Sequence, residues 1–157
     1  MMTEYSVFNT ILGKMELKSQ DGYLTHCSFV SDDTPIVNNI EHEDFMAQLT
    51  SYFNGNLKKF DIPIQPNGSI FQKEVWEALL NIPYGKTITY GTLANQLGDN
   101  ANPRNVGGAN GANPIAIIIP CHRVIGSQMK LTGYAGGIER KKKLLELEGA
   151  ISQQSLF

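Results

Sequence analysis

The chain has 157 residues, 41% hydrophobic and 18% charged, with a formal net charge of −2: a folded soluble protein of one domain or two small ones, not a disordered segment. No apolar run approaches the ~20 residues that span a bilayer, Met1-Met2-Thr3-Glu4 is not a basic-then-apolar leader, and Cys27 and Cys121 are too few and too far apart for a disulfide framework, so a cytoplasmic setting is expected. The small total hides a division, because residues 1–82 carry five Lys/Arg against eleven Asp/Glu and residues 83–157 carry eight against four, or −6 and +4, which places any polyanionic partner on the second half.

In chain order, Tyr5-Ser6-Val7-Phe8, Met15-Glu16-Leu17-Lys18 and residues 23–30 read as strands of a hairpin meander separated by turn signals. Regular alternation predicts Leu24, His26, Ser28 and Val30 on one face and Tyr23, Thr25, Cys27 and Phe29 on the other. Neither His26 nor Cys27 has a partner at metal-ligand spacing, so both read as structural and no metal site is expected. A polar linker over 31–40 leads to Phe45, Leu49, Tyr52 and Phe53 at helical spacing, stopped by Asn54-Gly55-Asn56, and residues 57–64 read as one more extended segment. Pro63, Pro66, Asn67 and Gly68 mark a linker, which predicts domains over 1–64 and 69–152.

Ser69 reads as the N-cap of a helix whose apolar stripe, Phe71, Val75, Trp76, Leu79 and Leu80, stops before Pro83-Tyr84-Gly85 and puts Trp76 in the core. A short helix over 92–97, closed by Gly98, precedes a second one from Pro103 through Arg104-Asn105-Val106-Gly107-Gly108-Ala109-Asn110, a helix-turn-helix pattern. Gly107, Gly108 and Gly111 each weaken a helix by about 1 kcal/mol relative to alanine. Either the segment is an irregular loop, or its side-chain-poor surface lets something narrow approach, such as a minor groove about 6 Å wide, with Arg104 as its one long cationic side chain.

The run Ile115-Ala116-Ile117-Ile118-Ile119 reads as a buried strand that ends at Pro120-Cys121-His122-Arg123-Val124. A cysteine among aliphatics is often a small core hydrophobe, but His122 and Arg123 beside Cys121 are groups that stabilise a thiolate. In a regular strand Cys121 and His122 face opposite sides, so their communication needs a bend after Pro120 or a bridging water. Thr132-Gly133-Tyr134-Ala135-Gly136-Gly137 is a backbone-exposing loop whose single aromatic, Tyr134, suits closure over a flat ring. A last helix over 138–148 carries Arg140 to Lys143, then Leu144, Leu145 and Leu147, with Gly149 as its cap. Glu148 falls near its apolar face at the negative end of the dipole, disfavoured by about 0.3–1 kcal/mol, so it needs a buried partner, for which His122 is the natural candidate, or it reaches solvent.

These residues, over about 49–149, resemble the O6-alkylguanine-DNA alkyltransferases. The matches are Phe71-Gln72 with Val75-Trp76, Ile82-Pro83-Tyr84-Gly85, Tyr90-Gly91, Arg104 with Val106-Gly107, Asn113-Pro114, Pro120 to Val124, Gly133 to Gly137 and Glu148-Gly149. The resemblance implies an α+β protein, with a small N-terminal α/β (ribonuclease H-like) domain of antiparallel strands and a mainly helical, winged helix-turn-helix C-terminal domain bearing the reactive cysteine. It implies irreversible, single-turnover transfer of an alkyl group from O6-alkylguanine in double-stranded DNA to Cys121, with O4-alkylthymine left open as a second substrate, by a monomer that needs no cofactor.

Residue by residue, the resemblance makes Cys121 the nucleophile, His122 its base through a water, Glu148 the group that orients the imidazole, Asn113 the brace of the turn and Tyr90 the hydrogen-bond or proton donor to the guanine. Val124, Tyr134, Ala135 and Gly136 line the base pocket. Arg104, with Tyr90, Gly107 and Arg123, meets DNA from the minor groove. Met129 stands where the family often has glycine, and Asn105 where it usually has alanine. Three other readings stay open: a noncatalytic lesion binder, a Cys-His hydrolase using Asn113, and a winged-helix regulator in which Cys121 is core.

Overall fold

The computed structural model describes residues 3–152, and the chain divides into two compact units, Met1–Asn67 and Gly68–Phe157. The fold is α+β. In the first unit, β1 (Thr3–Thr10), β2 (Gly13–Gln20) and β3 (Tyr23–Phe29) form an antiparallel sheet in that order. Alternation along β2 turns Met15, Leu17 and Ser19 inward, where the apolar residues meet Val7, Leu24 and Cys27, and α1 (Glu43–Phe53) adds Phe45, Leu49, Tyr52 and Phe53 to the buried set.

Two expectations fail here. Pairing steps from Lys18↔His26 to Ser19↔Leu24, so Thr25 is an extra residue in a β-bulge, and its Oγ1 donates to the Lys18 carbonyl at 3.1 Å. The bulge resets the alternation and buries Leu24 and Cys27 together, with His26 outside. Residues 57–64 do not form a strand but a single parallel bridge, Leu24↔Ile64. The polar linker is also tied down, since Val37 exchanges backbone hydrogen bonds with Val7 at 2.9 and 3.1 Å on the outer edge of β1.

The second unit opens with α2 (Ile70–Leu79), capped by Ser69 in a reciprocal box with Gln72. Val75, Trp76 and Leu79 are buried, whereas Leu80 is exposed. Gly68 is needed for close approach: a Cβ there would lie 2.5 Å from the Trp76 ring. After β4 (Ile88–Thr89), α3 (Tyr90–Leu97) starts two residues before the predicted helix because Thr89 accepts from the Thr92 amide as its N-cap.

The glycine-rich stretch is a helix, α4 (Pro103–Gly111), held at its start by Pro103 and by Asn102 and Asn105 in a second capping box. It packs on α2 and α3, and Trp76 Nε1 donates to the Ala109 carbonyl at 2.8 Å.

Residues 115–119 are not a strand. Ile117 turns the backbone at φ +73°, Ile118 N donates to the Ala116 carbonyl, and Ile119 N returns to the Ile115 carbonyl, so the chain folds back while Ile115, Ile117 and Ile119 stay buried. A β-branched residue at positive φ is held there only by its surroundings. The 3-10 turn Cys121–Arg123 follows, then β5 (Val124–Ile125), parallel to β4. The last helix, α5 (Ile138–Leu147), has Glu148 as its C-cap and packs Leu145 with Ile125 and Ile151. Among the described residues no helix is long and apolar enough to cross a membrane.

Candidate active site

The fold-back at Ile117 and the turn after Pro120 bring the chemistry-bearing residues together. Asn113 braces the turn from both sides, as Nδ2 donates to the Ile119 carbonyl at 2.8 Å and Oδ1 accepts from the Ile115 amide at 2.9 Å. Its side chain also reaches Cys121, whose thiol is buried. Burial pushes the Cys121 pKa up, while the Asn113 hydrogen bond and the charge of Lys141 draw it down.

His122 has no exposed surface, and its Nε2 lies 2.7 Å from Glu148 Oε2. Burial raises the Glu148 pKa, but the hydrogen bonds and charges of His122 and Arg123 outweigh it and hold the carboxyl down to about 2. An ionised carboxylate only accepts, so Nε2 carries the proton and Nδ1 the lone pair. Burial also lowers the His122 pKa against the pull of Glu148, which favours the neutral ring, and Nδ1 has no hydrogen-bond partner among the described residues.

Arg123 requires a correction. Its guanidinium does not face outward to meet DNA: Nε donates to Glu148 Oε1 at 2.8 Å, Nη2 to Oε2 at 3.0 Å and Nη1 to the Ile82 carbonyl at 2.7 Å, with the Tyr84 ring 5.8 Å away. Those donors are committed inside the unit, so Arg123 fixes the Glu148 carboxylate.

A cavity of about 680 Å³ opens between one face of α4, with Pro103, Arg104, Gly107 and Gly111, and the loop bearing Thr132, Gly133, Tyr134 and Ala135. Tyr90 stands in its wall, its hydroxyl 3.4 Å from the Thr132 carbonyl; burial raises the Tyr90 pKa, opposed by the Thr132 and Asn110 contacts. Arg104 is exposed at the second position of α4. Cβ atoms at Gly108 and Gly111 would meet nothing within 4 Å, so the smooth face is not demanded by packing within the chain.

Two expected pocket residues stand outside that lining: Val124, wholly buried in β5, and Gly136, whose carbonyl accepts from Arg140 at 3.1 Å. Val124 pairs in register with Ile88 of β4.

Two residues escaped sequence reasoning. Lys141 was read as part of a cationic cluster but has no exposed surface, although its spacing to Leu144, Leu145 and Glu148 places it on their stripe. Asn110, on the buried face of α4 beside Val106 and Ala109, donates from Nδ2 to the Cys121 carbonyl at 3.2 Å.

The profile described as 6-O-methylguanine DNA methyltransferase, DNA binding domain, matches residues 70–150, and that family's ribonuclease-like domain matches residues 4–66. The chain belongs to the 6-O-methylguanine DNA methyltransferase family. It is 45% identical over 153 residues to a methylated-DNA–protein-cysteine methyltransferase of Methanosarcina acetivorans, covering 93% of this chain and 98% of that one. A protein of the same name from Mycolicibacterium paratuberculosis is 44% identical over 161 residues, covering 99% and 98%. The crystal structure of Mycobacterium tuberculosis OGT in complex with DNA superimposes with a TM-score of 0.85 at 44% identity, covering 93% of this chain and 92% of that one. In this family member, then, the buried row Cys121, His122 and Glu148 lies within the domain that matches the family's DNA-binding model.

Proposed function

We propose that Cys121 accepts the alkyl group of O6-alkylguanine in double-stranded DNA, once per molecule, with His122, Glu148, Asn113 and Tyr90 as its machinery. Family membership makes the chain a DNA-repair alkyltransferase acting through a cysteine. The observation that supports this assignment of roles is the His122 ring, bound through Nε2 to Glu148 and left with a buried, unpartnered Nδ1 in the residue next to Cys121.

In this reading the Cys121 proton passes through a water to His122 Nδ1, and Glu148 stabilises the imidazolium that forms. The thiolate attacks the alkyl carbon; the S–C bond forms as the C–O6 bond breaks, and the bonding pair returns to the guanine. Tyr90 donates a proton to the guanine, and its phenolate regains one from His122 through solvent. One proton has moved from cysteine to guanine, and no external donor is needed. The product is a thioether, which has no activated carbonyl for water to attack, so the protein is spent.

A base stacked in duplex DNA is out of reach of a buried sulfur, so the nucleotide turns out of the helix, at a cost of a few kcal/mol that damage to the pair reduces. The cavity beside Tyr90 receives the base, with Tyr134 and Ala135 along it. The smooth face of α4 lies in the minor groove, and Arg104 with Gly107 beside it enters the stack to fill the gap. The protein acts as a monomer, and the reactive thiol is suited to a reducing cytoplasm.

Titration of a duplex containing O6-methylguanine with increasing protein tests this. Repair reaching a plateau at one guanine restored per molecule agrees with it; repair continuing beyond that ratio contradicts Cys121 as a single-use acceptor.

A further inference from the structure

We propose that Lys141 is a positioning residue for the transfer: a buried cation that stabilises the Cys121 thiolate while holding the Thr132 carbonyl in the cavity wall. The inference rests on the reading of Cys121 as the alkyl acceptor. Lysine is among the residues least often buried, and buried ammonium groups are normally paired with a carboxylate. Lys141 has no exposed surface, and among the described residues it makes no salt bridge with a carboxylate.

Its neighbours account for the burial. Nζ donates to the Thr132 carbonyl at 2.8 Å and lies 5.9 Å from the centre of the Tyr90 ring, where a cation is attracted to the π face. The titratable groups facing it are Tyr90 at the start of α3 and Cys121 and His122 on the turn before β5. The charge that supports its protonated form is that of Cys121. Burial holds the lysine down to about 8, so it stays largely protonated near neutrality, and its charge opposes the protonation of His122 while favouring the thiolate. The effect on Cys121 is in the direction that the transfer needs, while the effect on His122 opposes its taking up the thiol proton and is countered by Glu148.

The hydrogen bond adds a mechanical part. The Thr132 carbonyl receives the Tyr90 hydroxyl at 3.4 Å and the Lys141 ammonium at 2.8 Å. When Tyr90 turns its proton to the substrate, Lys141 still donates to that carbonyl, so the wall keeps one of its two tethers. Lys141 forms no bond to the alkyl group and passes no proton.

Three full-length variants separate charge from packing: Lys141→Gln keeps a donor for Thr132 but loses the charge, Lys141→Met loses both, and Lys141→Arg keeps both. The readout is the rate at which iodoacetamide alkylates Cys121, mapped by peptide mass against pH, with thermal unfolding alongside. The thiolate profile is expected to move upward by about one pH unit in Lys141→Gln and Lys141→Met, a tenfold slower reaction below the midpoint, with methyl transfer from the lesion slowed in step. Lys141→Arg is expected to restore the profile. A profile unmoved in both uncharged variants, or moved only in Lys141→Met together with a loss of thermal stability, overturns the proposal. Because iodoacetamide needs no DNA, failure of the wild-type protein to take methyl from a lesion counts against the functional reading alone and leaves the profile to decide the role of Lys141.

Discussion

Arg123 grips Glu148 with two parallel hydrogen bonds, Nε to Oε1 at 2.8 Å and Nη2 to Oε2 at 3.0 Å, in a site where the carboxylate has no exposed side-chain surface. The pair solves the problem that α5 creates by ending on an acid at its negative pole. It also leaves the carboxylate in one orientation, in which Oε2 faces His122 Nε2.

Removing the cation strands a buried charge. Arg123→Met is expected to cost about 3–5 kcal/mol in denaturant unfolding. A guanidinium buried against Glu148 and the Ile82 carbonyl is held away from phosphate, so the salt dependence of DNA binding is expected to stay unchanged in this variant.

Acid should destabilise the fold through three groups. Burial lowers the pKa of His42, which lies between Ser6 Oγ at 2.8 Å and Ser19 Oγ at 2.7 Å, and of His122, while His122 and Arg123 hold Glu148 at about 2. In each case the folded pKa lies below the unfolded one, 6.5 for the imidazoles and 4.5 for the carboxyl, so the unfolded chain binds more protons in the interval. The thermal midpoint is expected to fall as pH drops below 6.5 and to fall further between 4.5 and about 2. Calorimetry across that range checks it; a midpoint independent of pH there contradicts the burial of these groups.

The loop before Tyr134 stores strain. Gln128 and Met129 hold φ of 59° and 61°, where a side chain costs roughly 1 kcal/mol or more. Met129→Gly is expected to raise stability by about 1 kcal/mol, less whatever freedom glycine gives the unfolded chain, read as an upward shift of the thermal midpoint.

The bare face of α4 separates folding from binding. A Cβ at Gly108 meets nothing within 4 Å, so Gly108→Leu is expected to fold at least as well as the parent, with a gain of up to about 1 kcal/mol in helix propensity. Affinity for duplex DNA is expected to fall about tenfold, or 1.4 kcal/mol, measured by fluorescence anisotropy. Unchanged affinity would remove α4 from the interface.

Local chemistry was legible wherever it acts over a few residues. Ser69 as a cap, Asn54-Gly55 as a stop and the stripe through Val75, Trp76 and Leu79 follow from periodicity and turn propensity, and the structure has them in those roles. What was not legible depended on long-range geometry. The bulge at Thr25 is set by pairing with β2, and nothing in β3 alone announces it. The reversal at Ile117 contradicts the preference of a β-branched residue, and packing imposes it. Arg123 follows His122 in a 3-10 turn, whose geometry, not strand alternation, decides that both side chains reach Glu148. Lys141 was legible in principle: it precedes Leu144 by three residues and Leu145 by four, but a cluster of four cations reads as a solvated face.

The most direct test of the account is the intact mass of the protein after mixing with a duplex containing one O6-methylguanine, for the wild type and for Cys121→Ala. The account predicts a single added methyl group, mapped to Cys121 by peptide mass, stoichiometric with the guanine restored and absent in Cys121→Ala. A methyl group found on another residue, or a lesion repaired while Cys121 remains unmodified, would contradict it.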